Sequence, residues 1–133
     1  MKIIFFGDIV GRAGRRALAH VIPKWREEYK PDAVLANVDN LAHGKGVTQG
    51  TLNELISLGV VAYTGGDHVV SNPEGLKLLA DKNIPLVRPA NLVGQVAGVG
   101  SLRINIGSRE ILLVHLMGQV FMNQAYGSPW QAV

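Results

Sequence analysis

Lys2-Ile3-Ile4-Phe5-Phe6-Gly7-Asp8-Ile9-Val10-Gly11-Arg12-Ala13-Gly14-Arg15 decides the fold. The apolar run reads as a short buried strand, stopped by Gly7 and Asp8, and the glycine-punctuated turn after it opens a helical pattern. In open α/β sheets the carboxyl end of a buried strand is where ligands bind. Asp8 therefore has three readings at this stage: a metal ligand, a sugar ligand, or a cap for the helix that follows.

Working outward, Arg12 to Tyr29 carries Ala13, Ala17, Leu18, Val21, Ile22 and Trp25 at helical spacing, and Pro23 predicts a bend within it. Ala33–Ala36 reads as a second buried strand, closed by Asn37-Val38-Asp39-Asn40 and the loop Ala42-His43-Gly44-Lys45-Gly46. Thr48 is placed to cap a helix running to Gly59. A third strand, Val60–Thr64, ends in Gly65-Gly66-Asp67-His68, and Asn72-Pro73 reads as the cap and first residue of another helix. Ile84–Val87 is a brief fourth strand before Arg88-Pro89-Ala90-Asn91. Beyond Gly98 the period changes: Ser101–Ile106 and Glu110–Leu116 flank Gly107-Ser108 as a hairpin.

Strand-helix alternation predicts an α/β fold built on a parallel βαβ sheet, with the hairpin as an antiparallel extension. One consequence carries the functional reading. In a parallel sheet the strand ends share one edge, so Asp8, then Asn37, Asp39 and Asn40, then Asp67 and His68, then Arg88 and Asn91 converge there. Carboxylates and amides suit a hard or borderline cation, and histidine is a natural general acid. The bland alternatives are turn chemistry for Asp39 and Asn40 and a structural strand-end role for His68.

Composition narrows the classes. At 133 residues, 47% hydrophobic and 17% charged, the chain fits one globular domain over residues 1–133. With no cysteine, disulfides and thiolate metal sites are excluded, and a cytoplasmic location without a signal peptide is expected. No apolar run approaches the roughly 18 residues of a membrane span, so no membrane partner is expected. The net charge of +3 and the pI near 9.5 come without a Lys/Arg block, so nucleic acid is not the expected partner. Gly7-Asp8-x-x-Gly11-x-x-Gly14 departs from the G-x-G-x-x-G dinucleotide fingerprint and sets a carboxylate next to the first glycine, where it would repel a pyrophosphate. No serine or cysteine lies in a nucleophile-elbow context. His115 in the hairpin reads as a core or edge histidine and His20 as solvated.

Five blocks together resemble the YmdB-like family of calcineurin-like metallophosphoesterases: Gly7-Asp8-Ile9-Val10-Gly11-Arg12-x-Gly14-Arg15, Asn37-x-Asp39-Asn40, Ala42-His43-Gly44-Lys45-Gly46, Gly66-Asp67-His68 and Val87-Arg88-Pro89-Ala90-Asn91. The resemblance runs from residue 2 to about Met122 and covers the amino-terminal half of such enzymes. It implies half of a metallophosphoesterase αββα sandwich, and a metal-dependent phosphodiesterase acting on cyclic nucleotides or related esters. The implied cofactor is manganese or iron, as one or two ions. Asp8, Asp39, Asn40 and Asp67 match metal-ligand positions, and His68 matches the acid that protonates the leaving group. Arg12, His43 and Asn91 are expected to line the substrate pocket.

Two departures from the family pattern stand out. Asp39 occupies a position where glutamate bridges the ions, one methylene longer. Asp67 replaces an asparagine. The family's remaining metal ligands are histidines of a second half, so the resemblance implies an incomplete site. The expected partners are a phosphate-ester or nucleotide ligand and either further copies of the chain or a partner chain supplying the missing half. The apolar hairpin face, with Leu102, Ile104, Ile111, Leu113 and Leu116, is expected to lose its cover. The alternative function is a non-catalytic phosphate- or nucleotide-binding module without metal, or one subunit of a split enzyme.

Overall fold

Strands β1 (Ile3–Phe6), β2 (Ala33–Asn37), β3 (Ala62–Thr64) and β4 (Leu86–Val87) pair in parallel in the order β1-β2-β3-β4. The computed structural model describes residues 1–122 and 126–133. Each crossover steps the same way along the sheet, and right-handed crossovers of that kind place every helix on one face. The helix-side core follows suit: Leu18 and Ile22 of α1 (Gly11–Tyr29), Leu52 and Leu55 of α2 (Gln49–Ser57), and Leu78 and Leu79 of α4 (Pro73–Ala80) pack on Val34, Ala36, Tyr63 and Leu86.

The alternate strand positions face the other way, because side chains switch sides at each residue. Leu35, Ala62 and Val87 with Ile3 form a second cluster, closed by Leu102 and Ile104 of β5 (Ser101–Ile106) and Ile111 and Leu113 of β6 (Arg109–Val114). The hairpin register, Leu102 opposite Leu113 and Ile104 opposite Ile111, puts those four on one face. This corrects the expectation of an uncovered hairpin: its apolar face covers the parallel sheet. What stays open is Phe5 at the sheet edge, 49% exposed, and Leu112 on the hairpin's outer face, 57% exposed.

Local chemistry sets the element ends. Thr48 and Thr51 form a reciprocal capping box at the start of α2, and the Asn72 side chain accepts from the Glu74 and Gly75 amides to start α4. Gly107 turns the hairpin at φ +59°. Pro23 lies within α1, which runs through it as one helix; Ala19, four residues earlier, is exposed, so solvent can take its unpaired carbonyl. One reading changes. Asp67 and His68 lie not in a loop but in a short helix, α3 (Asp67–Ser71). No helix among the described residues is long and apolar enough to cross a membrane.

Candidate metal centre

The carboxyl ends of β2 and β3 are stitched together before any functional side chain appears. Asn37 Nδ2 donates to Thr64 Oγ1 at 3.0 Å, and the Val38 amide donates to the Thr64 carbonyl at 2.8 Å. The chain leaving β2 then turns with Asn37 Oδ1 accepting from the Asp39 amide at 3.2 Å. Asp39 is thereby buried against the start of α3. Its Oδ1 accepts from the Gly66 amide at 2.7 Å and the Val69 amide at 3.0 Å. Those amides open a helix and would otherwise be unsatisfied. With Oδ1 pinned, Oδ2 is the atom left to meet a ligand.

Gly66 permits this approach. A Cβ there would stand 2.8 Å from Asp39 Oδ2. Asp67 and His68 follow at once, and His68 Nε2 lies 3.9 Å from Asp67 Oδ2. One ligand atom each from Asp39, Asp67 and His68 falls within 4.8 Å of the others. The two carboxylates suit a hard or borderline divalent ion, and the imidazole stands beside them within reach of a bound ester.

Asp8 joins through Asn40. The Asn40 Nδ2 group donates to Asp8 Oδ1 at 2.6 Å, and Asn40 Oδ1 lies 2.6 Å from His68 Nδ1. An amide oxygen can only accept, so this geometry places the ring proton on Nδ1 and leaves Nε2 facing Asp67. The Asn40 carbonyl also accepts from the Gly11 and Gly44 amides, at 2.9 and 3.1 Å. Asp8 pays for its place with a left-handed backbone, φ 42°, a cost of order 1 kcal/mol for a non-glycine residue. It does not cap α1, whose N-cap is Val10 with no side-chain bond.

The remaining candidates stand apart from this cluster. Arg12 is exposed in the first turn of α1, and His43 is exposed in the adjacent loop at φ 55°. Arg15 ties α1 to α2 and the loop, through Glu54 Oε2 at 2.8 Å and the Leu41 carbonyl at 2.6 Å. Asn91 is buried and commits its amide to the chain itself: Nδ2 donates to the Met117 and Gly127 carbonyls, both at 2.8 Å, and Oδ1 accepts from the Met117 amide at 2.9 Å.

Four contributors were not visible as such in the sequence. Gly66 and Val69 orient Asp39 through backbone amides; the only sequence signal was the glycine pair before Asp67. Tyr126 lies close enough that, after burial, the Asp67 and Asp39 charges are what raise its phenol pKa. His115 leaves β6 alongside Pro89, and its carbonyl accepts from the Ala90 amide at 2.7 Å.

Comparison with known proteins places the chain in a family and agrees with its fold. The sequence model of the YmdB-like protein family matches residues 4–133. The chain is 36% identical over 123 residues to a Bacillus subtilis 2′,3′-cyclic-nucleotide 2′-phosphodiesterase, covering 92% of this chain and 46% of that protein. It is 33% identical to a putative phosphatase/phosphodiesterase of Mycoplasma pneumoniae, over 89% of this chain and 43% of the relative. Two crystal structures superpose closely. A hypothetical protein from Thermus thermophilus gives a TM-score of 0.89 at 33% identity, covering 99% of this chain and 50% of that one. A novel phosphatase from Mycoplasma pneumoniae gives 0.88 at 31% identity, covering 98% and 48%. The chain thus spans about half the length of the relatives it matches.

Proposed function

The chain belongs to the YmdB-like protein family, and from that premise we propose that it works as a metal-dependent phosphodiesterase on cyclic nucleotides or related phosphate diesters. The single observation carrying this reading is the meeting of Asp39, Asp67 and His68 within 4.8 Å. Asp39 and Asp67 would hold a manganese or iron ion, and Asp8, tied to the cluster through Asn40, is the proposed donor to a second one. Bound there, such ions supply Lewis acidity toward a phosphate oxygen. The rest is the work of the chain's own groups. Asp39 keeps one oxygen fixed by the Gly66 and Val69 amides, so its other oxygen needs no reorganisation to bind. Asn40 holds the His68 ring by Nδ1–H, so that in the imidazolium form Nε2–H is the group that would give its proton to the departing ester oxygen, leaving the neutral ring with its proton on Nδ1.

Arg12 and His43 sit where the start of α1 meets the loop after β2: a Cβ on Gly11 would stand 3.8 Å from the His43 Cα. They are the proposed contacts to the phosphate and sugar. This chain covers about half of each relative's length, and a second copy or a partner chain is the proposed source of further donors. Phe5 at the open edge of the sheet is the proposed place for that contact. A second reading, a phosphate-binding module without catalysis, draws on Asp8 and Asn40 being hydrogen-bonded to each other.

The two readings separate on one assay. Hydrolysis of a chromogenic phosphodiester should depend on Mn²⁺ and disappear in His68→Ala. Binding of a nucleotide with no Mn²⁺-dependent turnover would favour the second reading.

A further inference from the structure

Beyond the three clustered donors, the hairpin brings one more nitrogen to this edge of the sheet. His115 follows the last residue of β6 and lies beside Pro89, just past the end of β4. Its Nε2 is buried and has no hydrogen-bond partner among the described residues. Burial also pushes the imidazole pKa down from its ordinary value, while the Asp39 carboxylate pulls the other way by a smaller amount. The ring is thus held neutral, close enough to feel Asp39. A buried polar atom left unpaired bears the full cost of losing water, so such atoms in a native fold ask what satisfies them.

An anion is a poor answer beside Asp39 and Asp67, whose charges would repel it. A cation is a good one, since a neutral imidazole is the form that binds metal. We infer that His115 Nε2 is a nitrogen donor to a divalent cation held at the Asp39 side of the centre, reached from the hairpin. This rests on the metal-centre reading above and extends it to a residue from a different element. It stands outside the three-residue cluster, so it would serve an ion displaced from Asp67 toward the hairpin. The arrangement also gives the hairpin a second role besides covering the sheet: it brings a nitrogen donor to an edge otherwise furnished by the parallel strands and α3.

Cobalt(II) is a suitable probe, because its visible absorption reports the number and kind of ligands directly. Wild type, His115→Gln and His115→Ala would be titrated with Co²⁺, with circular dichroism and thermal melts in chelator confirming that each variant folds. We expect both variants to lose Co²⁺ affinity by about tenfold or more and to change the absorption band. As a check independent of mutation, the ¹⁵Nε2 resonance of His115 in the intact protein should shift on adding Zn²⁺. If the wild type binds Co²⁺ while both variants bind it with the same affinity and spectrum, and the Nε2 resonance stays in place, the inference falls and the metal centre stands. If the wild type binds no Co²⁺, the metal-centre reading falls, and this one with it.

Discussion

Asn40 donates its side-chain amide to the carboxylate of Asp8, 32 residues earlier, at 2.6 Å. The same amide turns its oxygen to His68 Nδ1, also at 2.6 Å. One asparagine thereby links the end of β1 to the start of α3 and fixes the His68 ring with Nδ1 on the Asp39 side, 3.7 Å from Oδ2, and Nε2 on the Asp67 side. The site is organised by this hinge as much as by its charges.

Breaking it should show in His68 before it shows in stability. Asn40→Leu keeps the branched shape but removes both bonds. The His68 Nδ1 proton should become exchangeable and vanish from its downfield NMR position, and Mn²⁺-dependent turnover should fall by about 10²-fold. A retained Nδ1 resonance would mean that something else orients the ring.

Gly66→Ala is the sharper test of the Asp39 cradle. The added methyl would stand 2.8 Å from the carboxylate, well inside contact distance, so Asp39 must swing away from the Gly66 and Val69 amides. Calorimetric titration should register Mn²⁺ affinity lowered at least about tenfold. Unchanged affinity would remove Asp39 from the centre.

Asn91→Ala tests a tie rather than a pocket. The change deletes three hydrogen bonds that hold Met117 and Gly127, worth about 2–3 kcal/mol together. Chemical denaturation should detect that loss, and limited proteolysis should cut first beyond Leu116. A substrate-contacting Asn91 would instead change KM and leave stability alone.

Tyr63 gives a pH signature. Burial pushes its phenol up to about 12, and its hydroxyl donates to the Val60 carbonyl at 2.7 Å. The folded state therefore keeps the proton where the unfolded chain has lost it. That stabilisation is complete below pH 10 and declines as the pH rises from about 10 towards 12, by roughly 2 kcal/mol in all. Tyr63→Phe should flatten this alkaline loss in urea melts. An unchanged slope would place it elsewhere.

Phe5→Lys tests the proposed contact between chains. Light scattering should find wild type associated and the variant smaller, because a charge replaces the apolar ring at the open edge. A monomeric wild type at high concentration would sink the idea.

The sequence exposed some of this and hid the rest, for physical reasons. The strands were readable because each apolar run stops at polar residues, and Thr48, Asn72-Pro73 and Gly107 mark element ends by local bonding that needs no tertiary context. The convergence of Asp8, Asp39 and His68 follows from parallel pairing alone. The five-residue α3 was invisible, because one and a half turns carry no period. The hairpin's cover over Leu35, Ala62 and Val87 depends on sheet order, which composition does not encode. Asn91 and His115 were ambiguous for a related reason: a buried amide and a buried imidazole read alike in sequence whether they hold the chain or a ligand.

Metal content decides the central claim. The purified protein would be loaded with Mn²⁺, passed through a desalting column and measured for metal per chain, beside Asp39→Asn and Asp67→Asn. The account predicts stoichiometric Mn²⁺ in the wild type and a sharp loss in both variants. A wild-type protein that retains no Mn²⁺, or variants that retain as much as the wild type, would contradict it.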